Sequence, residues 1–116
     1  MFNIERSGDR TILTVWQNLD LGAQPAFSRV LHAIAGGAAR RIIVSLEYCA
    51  YCDSTAINVL LRSADRLGSR LTVVVPPDTI SRRVFEACRI GQFMRVVASM
   101  REALDEPPLH ALSHGP

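Results

Sequence analysis

The spacing of apolar residues changes several times along this chain. Phe2 to Arg6 and Thr11 to Val15 alternate polar and apolar positions around Ser7-Gly8-Asp9, which predicts a β-hairpin. Asp20-Leu21-Gly22 then leads to Pro25, a favoured first helical residue. From there Phe27, Val30, Leu31 and Ile34 recur at helical spacing until Gly36-Gly37 stops the helix. Ile42-Ile43-Val44 is uninterrupted, as expected of a central strand covered on both faces. A second helix is predicted from Ser54 to Leu67, with Ile57, Leu60, Leu61, Ala64 and Leu67 buried and Gly68 as its stop. Leu71 to Val75 reads as another buried strand, closed by Pro76-Pro77. Asp78 or Thr79 caps a third helix carrying Ile80, Val84 and Cys88, which ends near Gly91. Phe93 to Val97 is a last strand, and Ser99 caps a short helix through Leu104.

The order β-β-α-β-α-β-α-β-α predicts an α/β domain. Its small mixed sheet begins with an N-terminal hairpin, continues through βα units, and has helices packed on it. A chain of 116 residues is long enough for one real core. The domain is expected over 1–104. The segment "DEPPLHALSHGP", 105–116, lacks any core pattern and is expected to be a disordered tail.

Composition narrows the classes. No apolar run approaches the ~18 residues of a membrane span, so no membrane insertion is expected. The charged N-terminus lacks the apolar stretch of a signal peptide, which points to the cytoplasm. All 13 basic residues are arginine, and the net charge is only +2. Without a basic stripe interleaved with aromatics, nucleic-acid binding is not expected.

Two chemical signals overlap in "EYCAYCDSTAIN", Glu47 to Asn58. Cys49 and Cys52 form a C-x-x-C, but no second close-spaced pair completes a metal site in the folded part of the chain. On one extended segment, an offset of three would send the two thiols to opposite faces. The cysteines therefore read as small buried hydrophobes, with no metal and no cofactor. Asp53-Ser54-Thr55 reads as a helix N-cap with an exposed hydroxyl. An attached phosphate there would meet unpaired amides and the positive end of the helix dipole. No G-x-S-x-G, P-loop or G-x-G-x-x-G is present, and nothing marks His32 as a base for Ser54. An enzyme is not expected.

The run from "RRIIVSLEYCAYCDSTAINVLL" through "MREAL", preceded by "VWQNLDLGAQPAFSRVLHAI", resembles a STAS domain of the anti-sigma-factor-antagonist type over about Thr11 to Leu104. The family's turn reads Asp-Ser-Ser/Thr-Gly-Leu, and a partner kinase phosphorylates its serine. The resemblance implies Ser54 as phosphoacceptor, Asp53 orienting it, and Thr55 as a secondary acceptor. It also implies that Asp20, together with Asn58 and Arg62 on the exposed helix face, meets the partner. Ala56 stands in place of the family's glycine, Asn58 where another small residue is common, Ser45 where an aspartate is frequent, and Asn18 where a glycine precedes the acidic turn. The implied function is a switch that sequesters an anti-sigma kinase and so frees a sigma factor, with the kinase supplying the catalysis. A second reading is a STAS subunit of another assembly, such as a phospholipid-transport ATPase or a sensory complex. A third is a small metal or redox protein using Cys49 and Cys52. The sequence leaves the oligomeric state open.

Overall fold

A computed structural model describes residues 1–105. Five strands form one sheet in chain order: β1 (Phe2–Ser7), β2 (Arg10–Val15), β3 (Arg41–Ser45), β4 (Leu71–Val74) and β5 (Arg95–Val97). The β1–β2 hairpin is antiparallel, pairing Phe2 with Val15 and Ser7 with Arg10. Gly8, at φ 63°, supplies the left-handed residue that the tight turn requires. Every later pair is parallel: Thr11 lies opposite Ile42, Val44 opposite Val73, and Val73 opposite Val96.

Helices α1 (Gln24–Ala35), α2 (Ser54–Leu67) and α3 (Ile80–Ala87) make the three parallel connections, and α4 (Met100–Leu104) ends the described chain. Because the strand order advances in one direction and such crossovers are right-handed, all three connecting helices must lie on the same face. The core follows that rule. Phe27 and Leu31 of α1, Ile57 and Leu60 of α2, and Phe85 of α3 share one cluster with Leu13, Ile42, Val44, Leu71 and Val73. Residues of opposite parity on the strands, Ile43, Val74 and Val97, turn to the other face. There they meet Ala103 of α4, which is tied down by two arginines. Arg10 donates to the Leu104 carbonyl at 3.1 Å and Arg95 to the Glu102 carbonyl at 3.0 Å.

Three expectations need correction. In α3, Ile80 and Cys88 are exposed; the side chains turned inward are Ser81 and Phe85, with Val84 half-buried. Thr79 sets this phase, because its Oγ1 accepts the Arg82 amide at 3.1 Å, while Asp78 sits outside the helix at φ 63°. The last strand is shorter than Phe93–Val97. Arg89, at φ 54°, leads into a 3-10 turn at Ile90–Gln92, Phe93 is exposed, and pairing begins only at Arg95. The buried face of α2 is also wider than foreseen. Ala56, Val59 and Ser63 are buried, whereas Leu61 is only half-buried. Except for Asp105, the expected tail lies outside the described residues.

Candidate functional site

Parallel strands place their C-terminal ends on one edge of the sheet, and the loops leaving β2 and β3 there lie side by side. Leu19, in the β2–α1 loop, forms a parallel bridge with Cys52, in the β3–α2 loop. The Leu19 amide donates to the Tyr51 carbonyl at 2.8 Å, and the Asp53 amide donates to the Leu19 carbonyl at 3.0 Å. This clamp brings the turn containing Asp20 against the start of α2. Leu19 and Cys52, both fully buried, anchor it from below.

Asp53 is the N-cap of α2. Its Oδ1 accepts the amides of Thr55 at 3.0 Å and Ala56 at 3.2 Å, and the Thr55 hydroxyl at 2.5 Å. The Thr55 hydroxyl above all, helped by the two amides, holds the carboxyl of Asp53 below the usual aspartate range. The consequence for the two neighbouring hydroxyls is opposite. Thr55 Oγ1 is committed to Asp53, whereas no group among the described residues hydrogen-bonds to Ser54 Oγ, and Ser54 is exposed. The carboxylate of Asp53 therefore acts on the helix start and on Thr55; its side chain makes no bond to the Ser54 hydroxyl it was expected to orient.

Asn58 and Arg62 are exposed and follow Ser54 at intervals of four, so the three share one outward face of α2. Asp20 is exposed, and its Oδ1 accepts the Ala23 amide at 3.0 Å, closing the turn into α1. Ser45 is fully buried, and its hydroxyl donates to Glu47 Oε1 at 2.9 Å. The exposed Glu47 thus places a carboxylate on the buried Ser45 hydroxyl.

An aromatic pair stands on this edge. Trp16 leaves the end of β2 and Tyr48 stands beyond the end of β3; their rings stack at 4.0 Å with an interplanar angle of 3°. Both are about half exposed, at 49% and 55%, and Tyr51 and Leu21 are exposed in the same two loops. The register puts Thr14 opposite Ser45, so the chain leaves both strands at the same level of the sheet. In the sequence, only the lone tryptophan just past a strand hints at the pair.

Cys49 and Cys52 do not diverge to opposite faces. The β3–α2 segment turns, with the Cys49 amide donating to the Leu46 carbonyl at 3.2 Å, and both side chains enter the main core. Cys49 Sγ also donates to the Tyr51 carbonyl at 3.0 Å. Burial pushes both thiols up, Cys52 to about 12 with further help from neighbouring Cys49 and Asp53. Thiols in that state are poor nucleophiles and poor metal ligands. Among the described residues no cluster of three or more His, Cys, Asp or Glu is placed to hold a metal.

No protein-family model matches the chain, and no curated protein sequence matches it significantly. Solved structures do. An anti-sigma factor antagonist from Mycobacterium paratuberculosis superposes with a TM-score of 0.83 at 16% identity, over 90% of each chain. A STAS domain protein from Planctomyces limnophilus gives 0.74 at 15% identity, over 89% of this chain and 95% of that one. The chain has the STAS fold. The anti-sigma factor antagonist SpoIIAA matches in two forms. Its unphosphorylated form gives a TM-score of 0.69 at 23% identity over the whole of both chains. The phosphorylated form, from Bacillus, gives 0.64 at 21% identity over 90% of this chain and 97% of that one. At these identities the comparison carries the STAS fold. No helix among the described residues is long and apolar enough to cross a membrane.

Proposed function

We propose that this chain is an anti-sigma-factor antagonist whose binding to an anti-sigma kinase is switched by phosphorylation of Ser54. One observation carries the reading. At the start of α2 the Ser54 hydroxyl is exposed and unbonded among the described residues, while Thr55 beside it is held by Asp53. A kinase that brings ATP, metal and base needs only such a hydroxyl, so the chain itself has no catalytic turnover. The solution of SpoIIAA in phosphorylated and unphosphorylated forms supports a switch on this fold. Asp20, Asn58 and Arg62, together with the Trp16–Tyr48 pair, make the partner surface.

Incubation with the cognate kinase and ATP, followed by phosphopeptide mapping, tests this. Label should fall on Ser54 and vanish in Ser54→Ala. Label confined to Thr55, or absent altogether, overturns the switch. The exposed Trp16–Tyr48 stack also favours a second reading, a STAS subunit that binds its assembly without phosphorylation. Partner binding that is identical before and after labelling would select it.

A further inference from the structure

Helices α1 and α2 pack side by side, and a cleft of about 270 Å3 opens between them. Ser28 and His32, one turn apart on α1, face Val59, Arg62, Ser63 and Arg66 on α2. Every polar side chain in this lining carries an N–H or O–H donor, and no carboxylate lines it. Arg66 Nη1 donates to His32 Nδ1 at 2.9 Å, which places the ring proton on Nε2 and leaves it as a further donor. Arg62 and Arg66 are one turn apart, and like charges at that spacing repel. Neither has an ion-pair partner among the described residues.

We infer that this cleft binds a small phosphorylated anion. Two guanidinium groups match phosphate oxygens in bidentate fashion, and the hydroxyls of Ser28 and Ser63 add neutral donors. Size narrows the class. Pockets for drug-sized ligands begin at roughly 300 Å3, so the cleft encloses a phosphoryl group with a few further atoms, and the rest of a larger ligand would project into solvent. It is also separate from the proposed phosphoacceptor, because Arg62 lies two turns, about 12 Å, along α2 from Ser54. The site stands whether or not Ser54 is ever phosphorylated.

The test is a titration of the isotope-labelled full chain with inorganic phosphate to roughly 20 mM, with chloride holding ionic strength constant. Saturable amide shifts centred on 28–32 and 59–66 are expected. Arg66→Gln should weaken binding by roughly 10-fold or more, whereas Arg29→Gln, in a different groove of α1, should bind like wild type. His32→Gln provides a second variant that keeps the ring site testable if Arg66→Gln perturbs the fold. Non-saturating shifts spread over all exposed arginines, saturation centred on 54–56, or full binding by both Arg66→Gln and His32→Gln would each overturn the inference.

Discussion

Replacing Asp53 by alanine removes an acceptor that serves two backbone amides and one hydroxyl. Thr55 is half-exposed, so its amide can turn to water. Ala56 is fully buried, so its amide, bonded to Oδ1 at 3.2 Å, is left short of a partner. That places the loss near the upper end of the ~0.5–2 kcal/mol range for N-caps. The lost negative charge at the positive end of α2 adds about 0.3–1 kcal/mol, reduced by solvent at this half-exposed position. A total near 2 kcal/mol is expected, and a domain of this size shifts its Tm by about 4–5 °C per kcal/mol. Asp53→Ala should therefore melt roughly 8–10 °C below wild type at pH 7. Asp53→Asn keeps an oxygen for the amides and should lose only about 1–4 °C.

Acid separates the charge from the cap. Because the folded carboxyl titrates below its unfolded value, its electrostatic contribution is complete above about pH 5. It is lost as pH falls through the unfolded value near 3.9 and then the lower folded one. Calorimetric melts at pH 7 and pH 3 should show the gap between wild type and Asp53→Asn closing at the lower pH. An Asp53→Ala melt within 2 °C of wild type at pH 7, or an Asn gap that does not change with pH, would refute the assignment of Asp53 as a charged cap.

Three further outcomes follow from the same edge and core. Ser54→Ala should bind the cognate kinase constitutively, and Ser54→Asp should bind roughly 10- to 150-fold more weakly with little change in Tm; calorimetric titration decides, and wild-type affinity in both variants refutes the switch. Trp16→Ala should weaken kinase binding by roughly 10-fold or more if the ring is an anchor, while costing the fold only about 0.5–1.5 kcal/mol of stacking; surface plasmon resonance and a melting curve separate the two effects. A thiol reagent at pH 7.5 should label Cys88 on the native protein and spare Cys49 and Cys52. The buried thiols should also make stability fall above about pH 8.5, where the unfolded chain ionises its cysteines and the folded chain resists.

Local chemistry was legible in the sequence, and chemistry that depends on neighbours was not. The bounds of α2 follow from signals within a few residues of its ends, the Asp53 cap and Gly68, and the structure reproduces them. The phase of α3 does not, because Ile80 is an apolar residue placed by Thr79 at the first helical position, where it faces solvent. The inward path of Cys49 and Cys52 depends on a turn after β3 that the residue spacing of this segment does not announce. The Trp16–Tyr48 stack and the Ser45–Glu47 bond depend on strand register and on a buried hydroxyl. Neither leaves a period in the sequence.

In the proposed switch, a modification at Ser54 would act on a partner without unfolding the chain. A phosphoryl group adds about −1.5 to −2 charge and three acceptor oxygens. Inside the domain that charge meets the amino end of α2, a favourable place for an anion. Outward, it joins Asp53, with Asp20 one residue beyond the Leu19 bridge and Glu47 earlier in the same loop. A partner covering the Trp16–Tyr48 pair would have to exclude water from this edge, where reduced dielectric screening raises the cost of each added like charge. In the proposed switch the same modification would therefore be cheap for the fold and expensive for the complex. A scaffold lacking an acidic edge would not show this asymmetry. Replacing Asp20 and Glu47 together by their amides should therefore shrink the affinity difference between phosphorylated and unphosphorylated chain. A difference that stays unchanged in that double variant would mean that steric exclusion alone operates the switch.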